Sequence, residues 1–310
     1  MSTMPAPSRA GIRPVQQGRL DAIDFAVEEV GVRSFAELGG IGSVYGQYAF
    51  HMIDKPAVER GVLMDIRITK PAPEHLLTML EQASPRPGLQ VLENGRLDTD
   101  TLAQIGKVDA MLLFDVLLHM VAPDWDEVLE RCAPQTSTFV IANPQWQGGG
   151  ETIRLVELGR EGYLAAVPPT QPHLELFDRL DDWFAMQMRP YRDATNVWQW
   201  GITDVDLRDK MRELGFVLKY ERTFNRLLGA ESFVNKAFVF SKRDKPDTIT
   251  GRSDSGEPKE LRSEVERVER ERDEWRARHA ALERELSEIV NSRSWRLTEP
   301  LRALKRRFRR

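Results

Sequence analysis

Short apolar runs alternate with helix-like runs through most of the chain, and this alternation constrains the fold more than any other feature. Runs typical of buried strands lie at 33–38, 60–65, 88–93, 107–114 and 137–142. Patterns typical of helices lie between them, at 43–53, 74–82, 98–105 and 124–132. A further helix is expected before the first strand, with one face formed by Leu20, Ile23, Val27 and Val30. Strands joined by helical crossovers predict an α/β fold with a mostly parallel sheet.

Two more apolar runs, at 216–224 and 233–241, predict an antiparallel pair that completes the sheet. The residues between them, 225–232, are too few for a helical crossover, whereas antiparallel strands need only a short connection. We therefore expect a seven-stranded sheet that is mostly parallel and contains one antiparallel strand.

A glycine-rich bend follows the first predicted strand. The strand residue Glu37 is followed by Leu38 and then by Gly39, Gly40 and Gly42, and a helix-like run comes next. Glycine permits a positive φ in such a bend and leaves room for a ligand where a Cβ would stand. A strand, a glycine bend and a helix in this order are typical of nucleotide-like ligand sites, although a purely structural turn has the same pattern. Asp65 ends the second predicted strand, where a carboxylate suits ribose hydroxyls.

The composition limits the class of protein. The chain has 310 residues, of which 41% are apolar and 30% charged, enough for one substantial core with appendages. A single cysteine, Cys132, rules out an internal disulfide framework, favours a cytoplasmic location and is expected to be a core residue. No apolar run approaches the roughly 20 residues that span a bilayer. Residues 1–17 lack a signal core and are expected to form a disordered lead-in.

The C-terminal quarter separates into a linker, a coiled coil and a basic tail. The polar segment 243–258 is predicted to be a linker. Apolar residues recur at spacings of four and three through 259–291, which predicts a self-associating coiled coil and a homo-oligomer. The alternative is a single amphipathic helix packed on the main domain.

The tail 292–310 carries a concentrated positive charge in an otherwise acidic chain. Residues 293–310 contain eight Lys or Arg and one Glu, whereas the whole chain has a net charge of −4. Apolar residues of the tail can share one helical face, which favours an amphipathic helix on an anionic membrane surface. The alternative is an exposed charged terminus without a target. The acidic remainder argues against a core that binds nucleic acid.

Residues 143–200 interrupt the alternation of strands and helices. They contain a run of three glycines, several prolines and the tryptophans Trp146, Trp183, Trp198 and Trp200. A segment of this length after the fifth strand is expected to be a lid or an acceptor-binding insertion. Asn143, at its start, is a candidate for lining the acceptor pocket.

Taken in order, these features resemble the class I S-adenosylmethionine-dependent methyltransferases. The resemblance covers residues 34–242. The run ELGGIG looks like the first motif of the family, VDAMLLFDVLLHM at 108–120 looks like its fourth motif, and ITDVDLRDKMRELGFVLKY resembles the helix and turn that enter its sixth strand. The resemblance implies a Rossmann-like sheet and S-adenosyl-L-methionine as the cofactor.

The resemblance also implies roles for the residues that match these motifs. Asp65 would bind the ribose hydroxyls, and Asp115 would stand beside the sulfonium or the methyl acceptor. The methionine and ribose portion would be lined by Glu37, Gly39, Gly40 and Gly42, and the adenine by Asn94, Gly95, Arg96 and Leu97. Ile41 replaces a glycine that the family usually has in the bend.

Methyl transfer from a sulfonium requires alignment of the acceptor and, for a hydroxyl acceptor, a general base. His119 is the candidate base, and its alternative role is a packing contact between helix and sheet. His51 is expected to be structural. The chain has five histidines and one cysteine without clustered ligand spacing, so no metal site is predicted.

The run SRSWRLTEPLR, which begins at 292, looks like a C-terminal stretch of bacterial enzymes of cell-surface polysaccharide assembly. This likeness implies a glycan or lipid-linked sugar as the acceptor and a peripheral position on the inner face of the cytoplasmic membrane. Two alternatives remain open. One is an NAD(P)-dependent oxidoreductase, which shares the first strand and Asp65 but not the antiparallel pair. The other is a non-catalytic methyltransferase-like scaffold on a membrane-attached coiled coil.

Overall fold

A seven-stranded sheet forms the centre of the computed structural model, which describes residues 15–40, 44, 46–64, 86, 88–92, 97–185, 187–226 and 229–242. The strands are β1 (Ser34–Leu38), β2 (Arg60–Met64), β3 (Leu89–Leu92), β4 (Val108–Phe114), β5 (Thr136–Trp146), β6 (Phe216–Arg226) and β7 (Phe233–Lys242). Their order in the sheet is β6-β7-β5-β4-β1-β2-β3. All neighbouring strands are parallel except that β7 runs antiparallel to both β5 and β6. The predicted Rossmann-like sheet with one antiparallel strand is confirmed.

The strand order reverses between β1 and β4. From β1 the chain adds β2 and then β3 on one side, and it then crosses to place β4 and β5 on the other side. The two crossovers diverge, so the carboxyl ends of β1 and β4 border a crevice, which is where open α/β sheets bind ligands. This topology brings the glycine bend after β1 beside the residues that follow β4.

Helices cover both faces of the sheet, as the apolar strands require. The helices are α1 (Gln17–Glu28), α2 (Gln47–Ile53), α3 (Thr99–Ile105), α4 (Trp125–Cys132), α5 (Gly159–Ala166), α6 (Gln171–Glu175) and α7 (Asp204–Glu213). Side chains of β4 alternate between two apolar clusters: Met111 and Leu113 join α3, α4 and α7, whereas Leu112 and Phe114 join α1 and α2. This alternation is the period-two pattern of a strand buried on both sides.

The ends of these helices follow from local chemistry. The hydroxyl of Thr203 caps α7 by accepting the N–H of Asp206 at 3.1 Å, and the carboxylate of Asp98 caps α3 in the same way. Helix α2 begins at Gln47, later than the predicted start at 43, because Gly46 has a φ of +70° and stands outside the helical region.

Cys132 ends α4 and is completely buried in the apolar cluster, as expected. Burial raises the pKa of its thiol to about 12. A thiol in this environment stays protonated and is not a nucleophile at neutral pH.

The segment predicted as an insertion at 143–200 begins later than expected. Strand β5 continues through Trp146, because β7 is long enough to pair with it as far as the register of Trp146 with Phe233. The rest contains α5, α6 and two short strand pairs, Ile153–Arg154 with Trp200–Gly201 and Trp183–Phe184 with Arg189–Pro190. It has its own apolar cluster, which includes Trp146 and Phe233 and so joins it to the sheet.

Several predictions lie outside the described residues: most of the lead-in 1–17, the helix at 74–82, the linker 243–258, the coiled coil 259–291 and the tail 292–310. Within the described ranges, none of the helices is long and apolar enough to cross a membrane.

Candidate active site at the carboxyl edge of the sheet

The glycine bend after β1 is tied to both neighbouring strands. Gly39 has a φ of +86°, and its N–H donates to the carbonyl oxygen of Met64 at the end of β2 at 2.7 Å. A Cβ on Gly39 would lie 2.7 Å from a methyl group of Val116, which follows β4. Both the backbone conformation and the packing therefore require glycine at this position. Asp65, the next residue after Met64, lies outside the described part of the chain.

Glu37 lies directly beneath the bend. Its side chain is only 1% exposed, and a Cβ on Gly40 would overlap its carboxyl group. The sequence predicted that glycine here leaves room for a ligand. The structure shows that Gly40 makes room for the carboxylate of Glu37, so this buried charge and the second glycine depend on each other.

Asp115 follows β4 in a conformation that is unusual for a non-glycine residue, with a φ of +53°. Its N–H donates to the carbonyl oxygen of Ala142 at 2.8 Å, which extends the pairing of β4 with β5 by one step. Its carboxylate accepts a hydrogen bond from the guanidinium of Arg19 at 2.7 Å. We call these two side chains the Arg19–Asp115 pair.

Sequence reasoning did not identify Arg19 as a site residue. Arg19 lies on α1, is 5% exposed, and places its guanidinium 5.6 Å from the ring centres of both Tyr48 and Phe114. The predicted face of this helix began at Leu20, which is only half-buried. The buried face instead contains Arg19, Ala22, Ile23 and Ala26, together with Val27. Residues 19, 22, 23 and 26 have the i, i+3, i+4, i+7 spacing of a buried helix face, and three of them are apolar. A charged residue at the first position of this pattern could have revealed Arg19 from the sequence.

The charged groups of this edge form one electrostatic cluster around Tyr48. Burial is the largest single effect on the pKa of Arg19 and lowers it, but the charge and hydrogen bond of Asp115, together with those of Tyr48, raise the pKa above its ordinary value, so the guanidinium stays charged. Burial raises the pKa of Tyr48, the charge of Arg19 lowers it, and the carboxylates of Asp115 and Glu37 raise it again. The structure thus brings Glu37 and Asp115, two acids predicted from separate motifs, near the same tyrosine, and Arg19 pairs with Asp115.

His119 lies in the 3₁₀ turn Leu117–His119 and is 8% exposed. Its Nδ1 lies 2.9 Å from the carbonyl oxygen of Val197, and because a carbonyl only accepts, the ring donates this hydrogen bond. In the neutral ring, Nε2 is then the basic nitrogen. This geometry is compatible with the predicted general base and with the packing role that was its alternative.

Three hydrogen bonds join the insertion to the turn that carries His119. The N–H of Gln199 donates to the carbonyl oxygen of Leu118 at 2.8 Å, and the indole N–H of Trp200 donates to the carbonyl oxygen of Met120 at 2.7 Å. With the contact between His119 and Val197, residues 197–200 follow residues 118–120 along their length. The indole of Trp200 is therefore fixed by a hydrogen bond within the protein, whereas Trp183 is 59% exposed.

His173 secures this part of the insertion from the other side. Its Nδ1 donates to the carbonyl oxygen of Pro168 at 2.6 Å, and its Nε2 accepts the N–H of Trp198 at 3.2 Å. A ring that donates from Nδ1 and accepts at Nε2 has to be neutral, because a protonated ring donates from both nitrogens. Burial lowers the pKa of His173 from its ordinary 6.5, which favours this neutral form.

Two buried amides lie at the end of β5, beyond the last residue paired with β4. Asn143 and Gln145 are 1% and 0% exposed, and among the described residues the side-chain oxygens of both have no hydrogen-bond partner. Residues two apart on a strand share a face, so both amides point to the same side of the sheet. Asn143 was predicted near the acceptor pocket, and Gln145 was not identified.

The remaining predicted residues do not join this cluster in the described structure. Leu97 packs in the apolar core, and its carbonyl oxygen accepts a hydrogen bond from Arg131 at 3.2 Å. His51, which was expected to be structural, contacts the carboxylate of Asp24 at 2.7 Å. The others, Gly42, Asn94, Gly95 and Arg96, lie outside the described residues, as Asp65 does.

No family model and no curated protein matches the chain. Solved structures with a similar fold include the N-terminal domain of EvdMO1 with SAH bound, which is 16% identical, has a TM-score of 0.46, and matches over 74% of this chain and 83% of that one. An O-methyltransferase family protein from Burkholderia thailandensis is 14% identical, with a TM-score of 0.43 over 73% of this chain and 55% of that one. The 1,6-didemethyltoxoflavin-N1-methyltransferase of the same organism, with bound 1,6-didemethyltoxoflavin and S-adenosylhomocysteine, is 11% identical, with a TM-score of 0.46 over 74% and 80%.

We predict that Gly40→Ala destabilises the protein by about 1–3 kcal/mol, because the added methyl group overlaps the buried carboxylate of Glu37. The same substitution should cost less in a Glu37→Ala background, where the carboxylate is gone. Urea denaturation of the four proteins in this double-mutant cycle measures the coupling. Additive effects of the two substitutions would contradict the contact.

The matched control for this cycle is Gly150→Ala. Gly150 lies in a surface turn, and no atom of the described structure lies within 4 Å of a Cβ placed there. Its free energy of unfolding should change by no more than about 0.5 kcal/mol.

We predict that acidification destabilises the protein through His173. Because its folded-state pKa lies below 6.5, the unfolded state binds the proton more readily, and the stabilising contribution present above pH 6.5 is lost as the pH falls through the folded pKa. Urea midpoints measured from pH 7.5 to 5 should fall more steeply for the wild type than for His173→Gln, which does not titrate. Parallel pH dependence in the two proteins would rule out this role of His173.

Proposed function

We propose that the chain is an S-adenosylmethionine-dependent methyltransferase that methylates a hydroxyl group of a glycan or lipid-linked sugar in the assembly of cell-surface polysaccharide. The observation that carries the proposal is the placement of the glycine bend and Asp115 on adjacent strands, at the point where the strand order reverses. The antiparallel β7 beside β5 supports the same family that the motifs resemble.

The residues at this edge fit the proposed cofactor. The buried carboxylate of Glu37 and the half-buried carboxylate of Asp115 both raise the pKa of Tyr48, and the guanidinium of Arg19 pairs with Asp115. Such a balance of charge suits a ligand that carries a positive sulfonium. When bound, the cofactor supplies the methyl group and its leaving group. Glu37, Gly39 and Gly40 would hold its methionine portion, with Asp65 on the ribose.

His119 is the proposed general base for the acceptor hydroxyl. Its hydrogen bond to the carbonyl oxygen of Val197 orients the ring and places the ring proton of the neutral form on Nδ1. Because Val197 belongs to the insertion, the insertion also determines how the ring is oriented.

The two rival functions predict different properties. An NAD(P)-dependent oxidoreductase would not be expected to carry the antiparallel β7, and the bend has Ile41 in place of a regular glycine pattern. A non-catalytic scaffold would keep the fold without binding an adenosyl cofactor. Calorimetric titration with S-adenosylhomocysteine and with NAD separates all three functions.

We predict that Asp65→Ala weakens binding of S-adenosylhomocysteine at least tenfold without unfolding the protein, because two charge-assisted hydrogen bonds to the ribose are lost. Isothermal titration of wild type and variant measures the change, and thermal unfolding checks the fold. Asp181→Ala, which removes an exposed carboxylate of the insertion, is the matched control and should bind as the wild type does. Equal affinity of all three proteins would overturn the assignment of Asp65.

The acceptor class is tested by the same preparation. The protein is incubated with methyl-labelled cofactor and fractionated cell-envelope glycans, and label should enter a glycan fraction with the wild type but not with Asp65→Ala. Label that enters only protein or nucleic acid would contradict a glycan acceptor.

We further propose that 259–291 forms a homo-oligomeric coiled coil and that 292–310 binds an anionic membrane surface. The heptad spacing and the concentrated positive charge of the sequence support these roles. Removal of 292–310 should abolish cosedimentation with liposomes that contain anionic lipid, and further removal back to 258 should reduce the mass measured by light scattering to that of a monomer. Unchanged sedimentation or unchanged mass would refute the corresponding role.

A further inference from the structure

The Arg19–Asp115 pair is not explained by stability alone. The side chain of Arg19 is 6% exposed and that of Asp115 is 33% exposed, so the guanidinium in particular loses its hydration. Replacing such an ion pair by apolar side chains of similar volume is often neutral or stabilising. The neighbours of Arg19 on the buried face of α1 are Ala22, Ile23 and Ala26, so an apolar residue would suit this position. An arginine there requires another physical reason.

Both members of the pair keep an unused polar atom. Among the described residues, neither Nε of Arg19 nor Oδ1 of Asp115 has a hydrogen-bond partner, and both atoms are buried. A buried donor or acceptor without a partner destabilises the folded state, and more so when the group is charged. The pair is therefore incomplete without a ligand that supplies the missing hydrogen bonds.

Arg154 shows how this protein satisfies a comparable arginine that serves a structural role. Its guanidinium also makes an ion pair at 2.7 Å, with Asp193, and also lies over an aromatic ring, 5.5 Å from the centre of the Trp200 ring. Its Nε, however, donates to the side-chain oxygen of Gln199 at 3.1 Å. Arg208, which pairs with Glu221, also has an unused Nε, but its side chain is 37% exposed, whereas the side chain of Arg19 is 6% exposed. What distinguishes Arg19 is an unused Nε on a deeply buried guanidinium.

The two unused atoms specify the chemistry of their ligand. Nε–H donates and Oδ1 accepts, so the ligand has to offer an acceptor and a donor, and among neutral groups a hydroxyl or an amide does both. The acceptor of the proposed function carries hydroxyl groups. An anion would satisfy Arg19 but would meet the carboxylates of Asp115 and Glu37. An ammonium would satisfy Asp115 and leave Nε–H unpaired. An apolar group would satisfy neither atom.

We infer that Arg19 is an acceptor-recognition residue, and that the Arg19–Asp115 pair selects a neutral, hydroxylated acceptor such as a sugar ring. The inference rests on the proposed function, because the pair stands at the edge assigned to the methyl acceptor. The rings of Tyr48 and Phe114 hold the guanidinium in place. The hydrogen bond from the N–H of Asp115 fixes the backbone of this residue against β5. Recognition then depends on α1, a helix outside the motifs that resemble the methyltransferase family.

The test measures binding of neutral methyl glycosides to the full-length protein. Methyl galactoside, glucoside, mannoside and fucoside are examined by saturation-transfer NMR, each with and without saturating S-adenosylhomocysteine. Wild type should bind at least one of them. Arg19→Met should reduce the affinity at least tenfold, whereas Arg19→Lys, which keeps the charge but lacks Nε, should retain an intermediate affinity.

A double variant guards against a simple loss of folding. Arg19→Met with Asp115→Asn removes both charges together, so no uncompensated charge stays buried, and asparagine tolerates the positive φ at position 115. It should unfold at a temperature near that of the wild type and should not bind the glycosides.

The outcomes separate the inference from the proposed function. If S-adenosylhomocysteine binds to wild type and variants alike but no glycoside binds, or if Arg19→Met binds glycosides as the wild type does, the inference fails and the proposed cofactor stands. If glycosides bind in an Arg19-dependent way without any binding of S-adenosylhomocysteine, the inference stands and the proposed methyltransferase function fails.

Discussion

The parallel pairing of β1 with β4 is the constraint on which the candidate site depends. It joins the carboxyl ends of the two strands by the register of Leu38 with Leu113, which are 75 residues apart in the chain. Those ends carry the glycine bend and Asp115. The tight contact between Gly39 and Val116 shows how closely they meet. A shift of either strand by one residue would turn its side chains to the other face and separate these groups.

Buried charge distinguishes this edge from the rest of the core. Glu37 on β1 and Arg19 on α1 are buried, and Asp115 at the end of β4 is half-buried. Gly40 leaves space for the carboxyl group of Glu37, two aromatic rings flank the guanidinium of Arg19, and a backbone hydrogen bond positions Asp115. Because charge is costly to bury, such an arrangement favours a ligand-binding role over a purely structural one. The unused atoms of the Arg19–Asp115 pair point to the same role.

The insertion after β5 contributes to the site through backbone hydrogen bonds. Its segment 197–200 contacts the turn after β4 at three points and orients His119, and His173 holds that segment in turn. A change in the insertion would therefore reach the proposed base without touching it. In the sequence this long segment was recognisable only by its tryptophans and prolines. In the structure its position is defined by its contacts with the turn that carries His119.

The amino-acid sequence by itself determined the strands, most helix starts, the mostly parallel character of the sheet and the antiparallel pair, because apolar periodicity, glycines and capping residues act over a few neighbouring positions. It also pointed to Glu37, Gly39 and Asp115, which stand in recognisable local patterns. It did not reveal Arg19 or Gln145, or the dependence of Gly40 on Glu37, since these are defined by contacts between residues far apart in the chain. Only the tertiary structure decided which face of α1 is buried and that β5 extends to Trp146, because burial and strand pairing depend on elements that the local sequence does not contain.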